Sequence, residues 1–441
     1  IEGGSGNDTI SGATLIDSGE GDDTLITFSS QTPDSVRYSS YYGNYTNLNN
    51  WYTQQLAAGS GNDSVSGGSA SMIIAGGSGN DTITGSTNHD VIWGDHFNSL
   101  NRGHSNWLNS SDSGSFNASN ASSYYQQRFG SPIAANDSNN NGNDSILAGT
   151  GNDWVSGGSG NDTLQGESGN DTLDGGDGHD SIVGGDGHDS LLGGAGNDTL
   201  TSQDGNDTIT GGDGADLIDA GEGNNIIDSE GDNDSISSGS GNDYINAGGG
   251  DDSITSGAGN DTLHGAIGHD TIWGGLGNDS IHGNEGNDSL SGQGNNDTIS
   301  GDSGDDYLYG GDGNDSLSGN TGNDTLLGEA GDDYLSGGGE NDSLSGGLGT
   351  DTLFGGSGID TLSGGDGNDS LDGGSGIDTL SGGDGNDSLD GGNANDSLSG
   401  GAGNDSLTGG LGSDTLSGGD GADTFFYSFS NLSDLHDTIL D

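Results

Sequence analysis

Gly364-Gly365-Asp366-Gly367-Asn368-Asp369-Ser370-Leu371-Asp372 is one nine-residue unit, and its sixth residue decides the fold. Asp369 belongs to a series of 32 positions spaced nine apart from Asp144 to Asp423, with no insertion or deletion between them. Thirty-one of them carry Asp and one carries Asn225. The residue two places later is always Ile, Leu, Val or Phe, from Ile146 to Phe425. The residue two places earlier is Gly in 28 units, the exceptions being Asp232, Asn295, Glu340 and Ala394. So rigid a period means stacked, near-identical turns.

Within a unit, the first six residues are Gly-rich and end in Asp, which suits turns with positive φ and a close backbone approach. The last three read as a short strand. Alternation turns only its middle residue inward, so Leu173, Leu191 and Leu371 are predicted core residues, while Thr172 and Asp174 face water. One inward residue per strand makes a thin core. Two units per coil, with strands alternating between two parallel sheets, is the arrangement that stacks such rows upon themselves, and the fold class is therefore all-β.

Charge explains why the stack needs a partner. Asp and Glu number 71 against three Arg and no Lys, a formal charge of −68, and a quarter of the residues are hydrophobic. A bare chain of this composition is expected to be disordered. Nucleic acid is excluded as the partner, because an acidic surface has no counterion release to offer it. No cysteine is present, which removes thiolate metal sites and disulfides. Asp carboxylates and backbone carbonyls form an all-oxygen donor set, which selects hard divalent cations, and irregular carbonyl-rich sites favour Ca²⁺ over Mg²⁺. One Ca²⁺ per repeat, roughly 30 to 37 ions, would balance the charge.

These residues resemble the RTX family, whose repeat is Gly-Gly-x-Gly-x-Asp-x-U-x with U a large apolar residue. The resemblance covers the regular part of the chain and outlying N-terminal units. It implies a right-handed parallel β-roll, a β-solenoid, with Ca²⁺ held along both edges between successive turns by the repeat Asp carboxylate and by carbonyls of the Gly-rich turn. Carried onto this chain, the metal ligands are Asp8, Asp23, Asp63, Asp81 and Asp90 in the irregular part. In the regular part they are Asp144, Asp153, Asp162, Asp171, Asp180, Asp189, Asp198, Asp207, Asp216, Asp234, Asp243, Asp252, Asp261, Asp270, Asp279 and Asp288, continuing with Asp297, Asp306, Asp315, Asp324, Asp333, Asp342, Asp351, Asp360, Asp369, Asp378, Asp387, Asp396, Asp405, Asp414 and Asp423. Asn225 loses a charge, so its site is expected to be weak or vacant. The four non-Gly residues before the Asp leave their local turn geometry open.

The domain reading has three parts. Residues 1–141 hold irregular coils with inserts at about 26–59 and 94–141, residues 142–425 form the regular roll, and residues 426–441 form a capping segment. Met72 and Ile74 mark a unit that keeps the frame but lacks the ligand. The inserts hold Tyr38, Tyr41, Tyr42, Tyr45, Trp51 and Tyr52, then Phe97, Trp107, Phe116, Tyr124, Tyr125 and Phe129, and all three Arg, at 37, 102 and 128. Their aromatics read first as cover for the side or end of the roll; loops on a rigid scaffold also commonly carry binding, so the alternative is contact with another protein, a glycan or a cell surface. Asn44, Asn117 and Asn120 there are the more credible glycosylation acceptors.

Elsewhere, Trp154, Tyr244, Trp273, Tyr307, Tyr309, Tyr334 and Phe354 flank the inward position and should point outward. His89, His179, His188, His269 and His436 replace the usual Asn before a repeat Asp and read as turn residues. The sequence has no His-Glu-x-x-His, no Gly-x-Ser-x-Gly and no Cys nucleophile, so the chain is not expected to be an enzyme. No run of 18 apolar residues spans a membrane. No secretory signal peptide is read, and the chain starts inside a repeat, as a processed product or a piece of a longer one would. Calcium sites of modest affinity fill outside cells, which places the protein there. The segment after Asp423, Thr424-Phe425-Phe426-Tyr427 and then Asp437-Thr438-Ile439-Leu440-Asp441, resembles the end of an RTX roll, which implies export by a type I route and folding on arrival. The leading expectation is a structural or adhesive module, a surface fibre, matrix component or spacer, with self-association into filaments. The alternative is the non-catalytic C-terminal region of a larger secreted hydrolase or toxin.

Overall fold

The computed structural model describes the backbone continuously over residues 142–426, then 437–440, and toward the N-terminus the segments 2–5, 9–11, 15–20, 24–26, 54–60, 62–66, 72–86 and 90–95. Every regular element among these residues is a β-strand. The chain divides into two compact units, Ile1–Glu222 and Gly223–Asp441.

In the first unit each strand of the regular part pairs in parallel with the strand 18 residues further on. Leu164 sits opposite Ile182, and Leu173 opposite Leu191. The second unit repeats this, with Leu353 opposite Leu371 and Leu362 opposite Leu380. An offset of 18 is two repeats, so successive nine-residue units alternate between two parallel sheets, as the spacing requires. The eighth residues form the core: Leu173 is fully buried, and Leu191 and Leu371 are 1% exposed. Thr172 and Asp174 face outward yet are half-buried by the neighbouring rows.

The strands are longer than expected. Most run for six residues instead of three, from the seventh residue of one unit through the third of the next, as in Ser370–Ser375, while a few such as Thr199–Thr201 keep three. The first three residues stay extended because the glycine at the second position adopts a left-handed φ. At Gly374 φ is +94°, and a Cβ there would lie 2.2 Å from the carbonyl oxygen of Gly356 one coil away. The absent side chain lets adjacent backbones keep ladder distance.

The register survives both interruptions in the first unit. Leu25 pairs with Val65 across the first, and Ile83 with Ile146 across the second. One boundary differs from the sequence reading. The strand Gln54–Ser60 lies inside the span read as the first insert, with Leu56 between Ile16 and Ile74 in register. Its frame has Gln54 where the ligand Asp would be, so the motif did not reveal it. The insert aromatics, the three Arg, Asn44, Asn117 and Asn120 lie outside the described residues.

Tyr244, Trp273, Tyr307 and Tyr334 are exposed on the sheet faces, as expected. Trp154, Tyr309 and Phe354 are half-buried, Phe354 resting against Tyr334 with ring centroids 5.5 Å apart.

Candidate metal centres

Residues six and eight of a unit project to the same side, so the carboxylate next to the core is carried inward with it. Every described repeat Asp from Asp63 to Asp414 is at most 3% exposed, and Asp423 is half-buried. Asp8 and Asp23 lie outside the described residues. Stacking aligns the carboxylates in columns. In the first unit, the Asp153 amide donates to Oδ1 of Asp171 at 2.8 Å and the Asp171 amide to Oδ1 of Asp189 at 2.8 Å. In the second, Asp351 donates to Asp369 and Asp369 to Asp387, both at 2.9 Å.

The other carboxylate oxygen is the informative one. Oδ2 of Asp171, Asp189, Asp279 and Asp369 is buried with no hydrogen-bond partner. It faces further acceptors. A Cβ built on Gly364 would lie 2.3 Å from Oδ2 of Asp369 and 2.7 Å from the Gly382 carbonyl, so both oxygens border the space the glycine leaves. Asn225 shows what such a space demands. Its Nδ2 donates to the carbonyls of Gly223 and Ser238, each at 3.3 Å, and Ser238 stands to Asn225 as Gly382 stands to Asp369. Where the chain has an amide, two N–H groups fill the oxygen cage. Where it has an ionised carboxylate, a bound cation would answer the same demand.

No group of three or more His, Cys, Asp or Glu side chains converges among the described residues. A cation held there would take most of its ligands from the backbone around a single carboxylate, a donor set that suits Ca²⁺. The residues present fit that ion.

Without a cation the carboxylates are held uncomfortably. Burial raises the pKa of Asp162 to about 7, outweighing the Asp144 amide that lowers it. Asp279 is raised to about 6 for the same reason. A carboxyl whose folded pKa is raised above its unfolded value stabilises the fold at low pH and loses that contribution as pH rises through about 6 to 7. Metal-stripped chain taken from about pH 8 to about pH 5 is accordingly expected to gain β signal in far-UV circular dichroism. A signal that stays flat or falls would contradict the placement of these groups.

The turns tolerate their irregular members. Asp232, Asn295, Glu340 and Ala394 keep left-handed backbones, with φ of 73°, 80°, 74° and 91°. The histidines also behave as turn residues. Asn368 Oδ1 accepts from the Asn386 amide at 2.9 Å, and Nδ1 of His179 and of His269 accept in the same way from Asn197 at 2.7 Å and Asn287 at 2.8 Å. His89 and His436 lie outside the described residues.

One repeat Asp, noted beside His436 in the sequence, is left out of the ligand set read from it. Oδ1 of Asp437 accepts from the Asp414 amide at 3.1 Å, and the following strand Thr438–Leu440 pairs Ile439 with Leu416. Asp437 thus takes the sixth position of a further rung at an offset of 23 rather than 18. The Asp437-Thr438-Ile439 triplet carried the signal, out of phase.

A family model described as the RTX calcium-binding nonapeptide repeat matches residues 1–14, 50–71 and 73–98 and, in overlapping stretches, all of 138–425. No curated protein matches the chain.

Proposed function

The chain belongs to the RTX calcium-binding nonapeptide-repeat family, and from that premise we propose that it works outside the cell as a calcium-rigidified structural module. The β-roll of this family is a structural calcium-binding fold. The supporting observation is the buried, partnerless Oδ2 set against carbonyl oxygens, repeated along the stack. Each repeat Asp is a ligand in this reading, with roughly one Ca²⁺ per repeat, and Asn225 marks a unit closed by its own amide.

The role in secretion follows from charge. At cytosolic calcium the carboxylates repel and the chain stays extended enough to thread a type I channel. At extracellular calcium it folds, and the bound ions keep it from slipping back. No helix among the described residues is long and apolar enough to cross a membrane. Parallel sheets with open end strands can add further strands, which supports assembly into fibres or matrix. The inserts at about 26–59 and 94–141 are assigned glycan or cell-surface contact.

Sedimentation and electron microscopy at millimolar calcium and in chelator test the scaffold role. Assemblies larger than one chain, formed only with calcium, are expected. Single chains at every concentration would remove self-assembly and leave calcium-driven folding standing.

A further inference from the structure

The outward face of one sheet in the second unit carries a cluster that oxygen-ligand calcium chemistry does not use. His264 and His282 are in-register neighbours on the strands Thr262–Ile267 and Ser280–Glu285. Their rings stack, with centroids 5.1 Å and planes 16° apart. Tyr244, on the preceding strand of the sheet, lies against His264 at 5.7 Å between centroids. Two imidazoles are thus fixed side by side.

Each ring has a polar residue 20 positions later beside it. Asp302 Oδ2 lies 3.3 Å from Nδ1 of His282, and the Asn284 side chain stands next to the His264 ring. Asn284 Nδ2 donates to the same Asp302 oxygen at 3.2 Å, tying the two supports together. Burial and the neighbouring His282 lower the pKa of His264, favouring its neutral, ligating form.

The backbone here is left-handed without glycine over consecutive coils, as it is singly at Glu230 of the same sheet. Ala266, Asn284, Asp302 and Asn320 occupy the second position of four successive coils with φ of 79°, 76°, 71° and 72°, where Gly248, Gly338 and Gly356 serve elsewhere. One of these residues, Asp302, aims a carboxylate oxygen at the His282 ring.

With Nδ1 of His282 engaged by Asp302, its Nε2 remains for a ligand, and neutral His264 offers a ring nitrogen of its own. Imidazoles oriented by a carboxylate or amide oxygen are the arrangement found around zinc and copper. Bonds of about 2.0 to 2.1 Å put two ligating nitrogens roughly 3.3 Å apart. From centroids 5.1 Å apart the two rings have to tilt toward one another to share an ion, on a face where the side chains of His282 and Asp302 are 35% and 36% exposed.

We propose that His264 and His282 form a two-imidazole site for a borderline divalent transition cation, Zn²⁺ or Cu²⁺, oriented by Asn284 and Asp302 and completed by water. Imidazole nitrogen prefers such ions and calcium does not compete for it. The site is independent of the calcium reading.

Cu²⁺, the tightest binder of the series, is the probe. The full chain in excess calcium is titrated with Cu²⁺ and followed by calorimetry and electron paramagnetic resonance. One Cu²⁺ per chain with hyperfine coupling to two nitrogens is expected. The double variant H264Q/H282Q should lose that site while its calcium-loaded circular dichroism is unchanged, and Asp302→Asn should weaken binding about tenfold or more. Cu²⁺ binding by the double variant equal to that of the parent, coupling to a single nitrogen, or no Cu²⁺ uptake in calcium would each overturn the proposal.

Discussion

Asp279→Ala is expected to destabilise the calcium-loaded second unit by about 2 to 5 kcal/mol, whereas Asp279→Asn should cost about 1 kcal/mol or less. Two losses add in the alanine variant. Oδ1 of Asp279 accepts from the Asp261 amide at 2.9 Å, and a buried amide left without that acceptor costs about 1 to 3 kcal/mol. An ion bound between turns also goes, and with it the mass-action stabilisation it lends. Asparagine retains an Oδ1 acceptor and places N–H donors where the orphaned oxygen was, as the Nδ2 of Asn225 does toward the Gly223 and Ser238 carbonyls. Both variants should bind one fewer Ca²⁺. The converse, Asn225→Asp, should bind one more. Denaturant unfolding in calcium and ion counting by equilibrium dialysis read these outcomes. Equal destabilisation by Ala and Asn, with ion number unchanged, would mean that the carboxylate serves only as a hydrogen-bond acceptor.

Gly274→Val should be comparably damaging without touching a charged group. A Cβ at this first position would lie 2.4 Å from Oδ2 of Asp279 and 3.1 Å from its carboxyl carbon. The branched side chain must expel the carboxylate from its cage, at about 1 to 3 kcal/mol for overpacking plus the lost ion. Small residues are accommodated here in other units: Ala148, Ala220 and Ala247 are buried at the same position, as are Ser202, Ser229, Ser238 and Ser256. Gly274→Ala is accordingly expected to be mild and Gly274→Val severe, both in stability and in calcium midpoint. A valine variant with parental calcium midpoint would show that the space beside Oδ2 is not part of the site.

Much of this was readable before any coordinate. A nine-residue period with one apolar and one acidic residue in constant phase dictates an 18-residue pairing offset, because only alternation between two sheets buries every eighth residue. What escaped was whatever departs from phase or depends on neighbouring coils. Gln54 occupies a ligand position with no carboxylate, so a search for Asp passed over its strand. Asp437 sits five residues out of step. The strand extension through the second position was hidden because glycine reads as a turn former, and the pairing of adjacent coils that keeps it extended is a contact between distant residues. The oxygen cage is likewise invisible locally, since the Gly382 carbonyl bordering Asp369 comes from the next coil. His264 and His282 looked unremarkable for the same reason: two histidines 18 apart become a stacked pair only once the register is known.

Cation binding as the condition for folding is tested most directly by the hydrodynamic radius and far-UV circular dichroism of the chain at about pH 7.5, first after exhaustive dialysis against chelator and then through a calcium titration. An expanded coil that converts cooperatively to compact β structure as Ca²⁺ is added is the expected result. A chain already compact and β-rich in chelator would contradict it, because the buried carboxylates would then be tolerated with nothing to neutralise them.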